Sequence, residues 1–224
     1  FTNSTNEIPY PLLIVEFLPY NLRELITKYK TDAAFSENPL TNTHKVEIII
    51  DLLFGLKFLH EEKQIMHRNL KPENILITKK YHAKIGDFAW ANSIEDDLNY
   101  SKKETGPMPY MAPELLNGDD YGEKIDQFSL GRIFYFILSD GKEPPFNMND
   151  IENGITFKRI PELNDLSAEI IEKYCEYEPE NRPTFSEVID IIVKGKFQLL
   201  PGVDAEEVKN RMIKLEILEQ VENQ

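Results

Sequence analysis

Apolar and polar positions along the chain alternate with changing period, and the period predicts the elements. Residues 11–18, "PLLIVEFL", form a continuous apolar run stopped by Pro19, which predicts a buried strand leading into a turn. In "NLRELITKYK", Leu22, Leu25, Ile26 and Tyr29 fall on one helical face. A polar stretch, "TDAAFSENPLTNT", then precedes residues 44–62. There Val46, Ile49, Ile50, Leu53, Leu56 and Leu59 keep helical period so densely that the helix should be buried on most sides. Residues 75–77 and 83–88 are short strand candidates around the turn "TKKYH". Residues 89–111 have no clear period and read as a long mobile loop, a length usually tied to function or disorder. Helices are expected at 121–139, 149–153, 166–177 and 185–194, each bounded by Pro, Gly or Asn. Near the end, Val208, Met212, Leu215 and Leu218 make one helical stripe, suited to docking on its own domain or to holding a partner. The pattern describes a mostly α fold with a few short strands clustered in the first half.

Composition narrows the partners. With 224 residues, 41% hydrophobic and 11% aromatic, the chain can bury a sizeable core. A formal charge of −14 opposes binding to nucleic acid or to an anionic membrane. No apolar run approaches the roughly 20 residues that span a bilayer, and "FTNSTNEIPY" lacks a signal pattern. One cysteine, Cys175, makes neither an internal disulfide nor a thiolate cluster, so a reducing, cytoplasmic setting is expected. The sequons at Asn3 and Asn99 are short enough to arise by chance. A chain that starts at Phe1 reads as a piece of a longer protein.

Three local features suggest phosphate chemistry. Asp87 ends an apolar strand, where a carboxylate can meet a hard cation. Asn74 precedes another strand and could join the same ion. Lys71 supplies a point charge suited to a phosphoryl oxygen. Each alone could equally be a turn or surface residue.

Together they carry a resemblance. "HRNLKPEN" at 67–74, "GDFA" at 86–89 and "YMAPE" at 110–114 stand in the order and approximate spacing of the eukaryotic protein-kinase signatures H-R-D-x-x-x-x-N, D-F-G and A-P-E. The resemblance spans roughly residues 10–195. It implies a kinase large lobe (C-lobe) at 19–195, the last strand and hinge of a largely missing small lobe at 1–18, and a helical extension at 196–224. It also implies ATP and Mg as cofactors. Val15 would be the gatekeeper, and Glu16, Phe17 and Leu18 would offer the backbone edge for adenine. Asn74 and Asp87 would hold Mg, and Lys71 would steady the transferred phosphate. Arg68 would receive a phosphate placed on Tyr100, Ser101 or Thr105. Asp126 would tie down the catalytic-loop backbone, Arg182 would pair with Glu114, and His67 would pack beneath the D-F-G turn. The lysine in "NLKPEN" is more typical of Ser/Thr than of Tyr kinases.

The departures form a second pattern. Asn69 stands where the family has the catalytic aspartate, and an amide orients a hydroxyl without taking its proton. Pro107 stands where Ser/Thr kinases usually carry a threonine that bonds that aspartate, removing a hydroxyl and a backbone donor. Ala89 replaces the D-F-G glycine and would be strained by about 1 kcal/mol if that position needs positive φ. No glycine-rich loop, "VAIK"-like lysine or paired glutamate is present. Trp90 has no evident role, and isolated His44, His60 and His82 suggest no chemistry. The sequence therefore predicts a pseudokinase or strongly impaired Ser/Thr kinase that binds MgATP and regulates a partner protein. The alternatives are a slow but active Ser/Thr kinase acting on a protein substrate, and a structural lobe that binds no nucleotide.

Overall fold

The computed structural model describes residues 14–32, 39–94 and 107–222, with side chains to 216. In chain order the elements are β1 (Tyr20–Asn21), α1 (Leu22–Lys28), α2 (Asn42–Lys57) continued by a π-helical turn (Phe58–Glu62), β2 (Ile65–Met66), β3 (Ile75–Ile77), β4 (Ala83–Ile85) and β5 (Asn92–Ser93). Helices follow: α3 (Pro113–Asn117), α4 (Lys124–Leu138), α5 (Met148–Glu152), α6 (Asp165–Tyr174), α7 (Phe185–Lys194) and α8 (Ala205–Glu222). The fold is mostly α, as the pattern predicts. Two small antiparallel sheets accompany the helices, one ordered β1-β3-β4 and one pairing β2 with β5.

The core lies around α2 and α4. Ile48, Ile49, Leu53 and Leu56 of α2 and Leu130, Ile133, Phe134 and Phe136 of α4 are fully buried. Both helices bury residues around their whole circumference, so packing rather than one amphipathic stripe holds them. Gly131 lets α4 approach α6, because a Cβ there would lie 2.7 Å from Cβ of Tyr174. Thr41, Thr184 and Asn21 start α2, α7 and α1 with reciprocal capping boxes.

Several expectations need correction. Residues 14–18 are not a strand: they carry no regular structure, and Ile14, Val15 and Phe17 are 85%, 69% and 87% accessible. A strand needs neighbours for its backbone groups, and the described residues pair none with this segment; residues 11–13 lie outside them. The strand at 83–88 is shorter than expected and ends at Ile85; past it Gly86 keeps one more bond in register, its N–H to the carbonyl of Asn74 at 2.8 Å. The helix at 166–177 ends at Tyr174, and past its end Arg182 takes the carbonyls of Glu176 and Tyr177 at 2.9 and 3.0 Å. The helix at 121–139 starts only at Lys124. The stretch 89–111 contains β5 and a one-turn helix at Met108–Tyr110, while 95–106, with Tyr100, Ser101 and Thr105, lie outside the described residues.

Helix α8 docks on its own domain. Val208 is fully buried, Met212 and Leu215 pack against the core, and Arg211 donates to Asp51 of α2 at 2.7 Å. The side chain of Leu218 lies outside the described residues. Asp51 also accepts the N–H of Ala83 at 2.8 Å, so one buried carboxylate joins α2, β4 and α8.

The same seam holds a mismatch. Carboxylate oxygens of Glu47 and Glu207 lie within 4.8 Å of each other, and burial, Glu207 and Asp51 push the Glu47 carboxyl up to about 7. Between the ordinary value of 4.5 and about 7, the folded state keeps a proton that the unfolded chain has lost. Stability from this group is therefore full below pH 4.5 and drains as pH rises through 7. Glu47→Gln should melt at a higher temperature than the parent at pH 8 and at the same temperature at pH 4.5. Equal melting at both pH values would show that the carboxylate pair carries no strain.

Candidate active site

The loop before β3 is fixed by one buried carboxylate. Asp126, at the start of α4 and 1% exposed, accepts the main-chain N–H of His67 at 2.7 Å and that of Arg68 at 2.9 Å. Its Oδ2 also meets Nε2 of His60 at 2.8 Å. Burial alone would raise this carboxyl, but the bonds from His60 and His67 outweigh it and hold the group below the usual carboxylate range. Turning two successive N–H groups to one acceptor puts Arg68 in the left-handed region, at φ 64°.

His67 joins this loop to the segment after β4. Its Nδ1 accepts the N–H of Asn69 at 3.3 Å, which leaves the proton on Nε2 to bond the carbonyl of Gly86 at 2.9 Å. Its ring packs edge-on against Phe88, centroids 5.1 Å apart. Asn74 donates Nδ2 to the carbonyl of Asn69 at 2.7 Å, and Asn69 donates Nδ2 to Oδ2 of Asp87 at 3.3 Å. Asn69, Asn74 and Asp87 thus form one chain of hydrogen bonds across the two segments.

Asp87 is exposed and left-handed, at φ 61° and ψ 70°, and a single helical turn, Phe88–Trp90, follows it. The condition for strain at Ala89 is not met: it lies inside that turn, and the positive φ of this segment falls on Asp87. Aspartate is among the residues that tolerate this region best. Trp90 is 45% exposed, and its carbonyl accepts Nε of Arg68 at 2.6 Å. Arg68 also reaches the hydroxyl of Tyr121 at 3.3 Å.

The other predicted residues lie around this chain. Lys71 is half-buried on the same loop, and its carbonyl accepts the N–H of Asn74 at 2.9 Å. Glu16 is exposed and ion-paired with Lys84 of β4, which ties the 14–18 segment to the strand that leads to Asp87. Phe17 is exposed and Leu18 half-buried, and no described contact joins either to Asn69 or Asp87. Pro107 and Asn69 line one crevice of about 10 Å³, together with Arg68 and Tyr110. The two unusual residues are therefore neighbours.

Two groupings are not legible in the sequence. His60 supports Asp126 from the π turn, and no local pattern marks it. Arg23 of α1 pairs with Glu73 of the loop and with Glu143, while the Tyr110 hydroxyl donates to Glu143 at 3.0 Å. Burial beside Glu143 raises the Tyr110 hydroxyl far above its usual range, so it stays protonated. Farther out, Arg182 and Glu114 make a two-pronged pair at 2.6 and 2.8 Å, both buried.

The donor set fits Mg. Oδ1 of Asn74 and Oδ1 of Asp87 have no hydrogen bond among the described residues, and both are hard oxygen ligands.

The "Protein kinase domain" family matches residues 2–191. The chain belongs to the protein kinase superfamily. Similar proteins include the probable serine/threonine-protein kinase kinX of Dictyostelium discoideum, 31% identical over 74% of this chain and 16% of that protein. A second is the interferon-induced, double-stranded RNA-activated protein kinase of Rattus norvegicus, 32% identical over 67% of this chain and 30% of that one. A third, from Acanthamoeba polyphaga mimivirus, is a putative serine/threonine-protein kinase/receptor, R826, 30% identical over 76% of this chain and 11% of its own length. The matched stretch is thus under a third of each of these relatives.

Proposed function

We propose that this chain is the large lobe of a strongly impaired Ser/Thr-type kinase, or pseudokinase, that binds MgATP and works by regulating a partner protein. The observation that carries the proposal is the amide of Asn69 bonded to Asp87 at 3.3 Å. At the place where a substrate hydroxyl must lose its proton stands a group that cannot accept one near neutral pH. Neighbouring Pro107 offers no hydroxyl to bind a base there. Asn74 and Asp87 would hold Mg, which would shield phosphate charge, and Lys71 would bond a phosphate oxygen. The backbone at Glu16–Leu18 would take the adenine edge. A single buried Cys175, its thiol pushed up to about 11 by burial, agrees with a cytoplasmic setting. Among the described residues no helix is long and apolar enough to cross a membrane.

A second reading, a slow but active Ser/Thr-type kinase, draws on the intact frame of Asp126, His67, Asn74 and the Arg182–Glu114 pair. Transfer of labelled phosphate from MgATP by the full-length protein to a generic Ser/Thr substrate, beside an Asp87→Asn control, separates the two. The expected result is nucleotide binding with no transfer above the control. Transfer that vanishes in the control would establish the second reading.

A further inference from the structure

Helix α8 lies over α2 and is anchored to it at both ends of their contact. Arg211 donates to Asp51 at 2.7 Å, and at the start of α8 the N–H of Asp204 meets the Thr43 hydroxyl at 2.9 Å. Just before it, Nδ2 of Asn42 donates to the carbonyl of Pro201 at 3.0 Å. Between these anchors Glu47 of α2 is only 6% exposed. Its carboxylate makes no hydrogen bond or ion pair among the described residues. Asp51 and Glu114, equally buried, are each held by an arginine. A buried carboxylate left without such a partner is costly when charged.

The cover over Glu47 comes from α8. Glu207, Arg211 and Lys214 act on its charge from that helix, and carboxylate oxygens of Glu47 and Glu207 lie within 4.8 Å. The other charged or titratable groups of this cleft are His44 and Asp51 on α2, Lys80 and His82 around the β3–β4 turn, and Asp204 and Glu206 at the head of α8. Lys80 and Lys214 are exposed, where an ammonium is a weak counter-charge. Burial pushes both histidines below their ordinary value, His82 to about 4. Arg211 and Lys214 pull the Glu47 carboxyl down by less than burial, Glu207 and Asp51 push it up, and the balance leaves it at about 7.

We propose that α8 is a proton-controlled latch, docked on α2 while Glu47 is neutral and released as Glu47 ionises. Release lets water reach the carboxylate and separates it from Glu207. It also takes Arg211 from Asp51, which holds the N–H of Ala83 in β4, the strand that leads to Asp87. A released Glu47 returns to its ordinary value of 4.5, so between 4.5 and about 7 release sheds a proton and becomes easier as pH rises. His44 and His82 act in the opposite sense: their lowered values make release easier in acid, below 6.5. The inference does not depend on whether phosphate is transferred.

The test is hydrogen exchange of the full-length protein in chelator from pH 5.5 to 8, corrected for intrinsic exchange and read at residues 205–216 and at α4, beside Glu47→Gln. The variant mimics neutral Glu47, and the histidines titrate alike in both proteins, so the ratio of the parent's opening constant to the variant's isolates Glu47. That ratio is expected to rise about 30-fold across the range at 205–216, with this segment opening more readily than α4 at pH 8. A ratio that stays flat would overturn the proposal. So would α8 and α4 opening equally at every pH, because α8 would then come away only when the whole domain unfolds.

Discussion

An Asn69→Asp variant is expected to transfer phosphate from MgATP about 10²- to 10⁴-fold faster than the parent protein, the range a positioned general base supplies. The loop needs no rebuilding for this gain. Asp126 already fixes the backbone on one side of position 69, and Asn74 holds its carbonyl at 2.7 Å. On the proposed reading the parent lacks a proton acceptor, and one atom exchanged in the side chain provides it. The same exchange removes the bond to Asp87 and sets two carboxylates against each other where an amide and a carboxylate now meet at 3.3 Å. The variant should therefore be less stable than the parent in chelator and regain stability in Mg, which a melting curve reads independently of activity. Adding Pro107→Thr should increase the rate further and non-additively, because positions 69 and 107 line one crevice. A full-length Asn69→Asp protein that binds nucleotide yet transfers no faster than the parent would sink the idea that the missing base limits the reaction.

How much of this was legible depends on how local each signal is. Helix α7 can be read to the residue: Thr184 and Glu187 close a capping box before an apolar stripe, and Gly195 follows the last turn. Helix α4 can be read in its middle but not at its start, because Glu123 makes no capping bond and apolar residues surround the helix on all sides. The β2–β5 pair joins Ile65 to Ser93 over two residues each, too short for any alternation to show. The opposite error arises at 14–18, where an apolar run stands exposed among the described residues rather than in a covered strand. The candidate site divides in the same way. Asn69, Asn74 and Asp87 sit in contiguous motifs, and the structure links them. His60 and Arg23 act on partners 66 and 120 residues away, Asp126 and Glu143, and a lone histidine or arginine has no pattern to betray it.

The largest stability effect belongs to Arg182. Its guanidinium makes five hydrogen bonds: two to Glu114, and one each to the carbonyls of Glu176, Tyr177 and Lys124. It also lies 5.2 Å over the ring of Phe128, and both it and Glu114 are buried. Arg182→Met keeps much of the apolar stem but strands the Glu114 carboxylate and three carbonyls. Removing one partner of a buried pair costs about 3–5 kcal/mol, a fall in melting temperature of roughly 6–20 °C for a domain of this size. If the stranded charge is the main cause, Arg182→Met combined with Glu114→Leu should melt above the single variant, since two matched apolar groups avoid an unpaired buried carboxylate. Arg182→Lys should rescue little, because an ammonium cannot make the two-pronged contact and reach three carbonyls at once. Because Glu114 belongs to the segment that follows Pro107 and Tyr110, the single variant should also loosen Tyr110 on Glu143, read as faster hydrogen exchange at 107–117 than at α2. A single variant that melts with the parent would mean that this pair fixes the geometry of the segment without stabilising the fold.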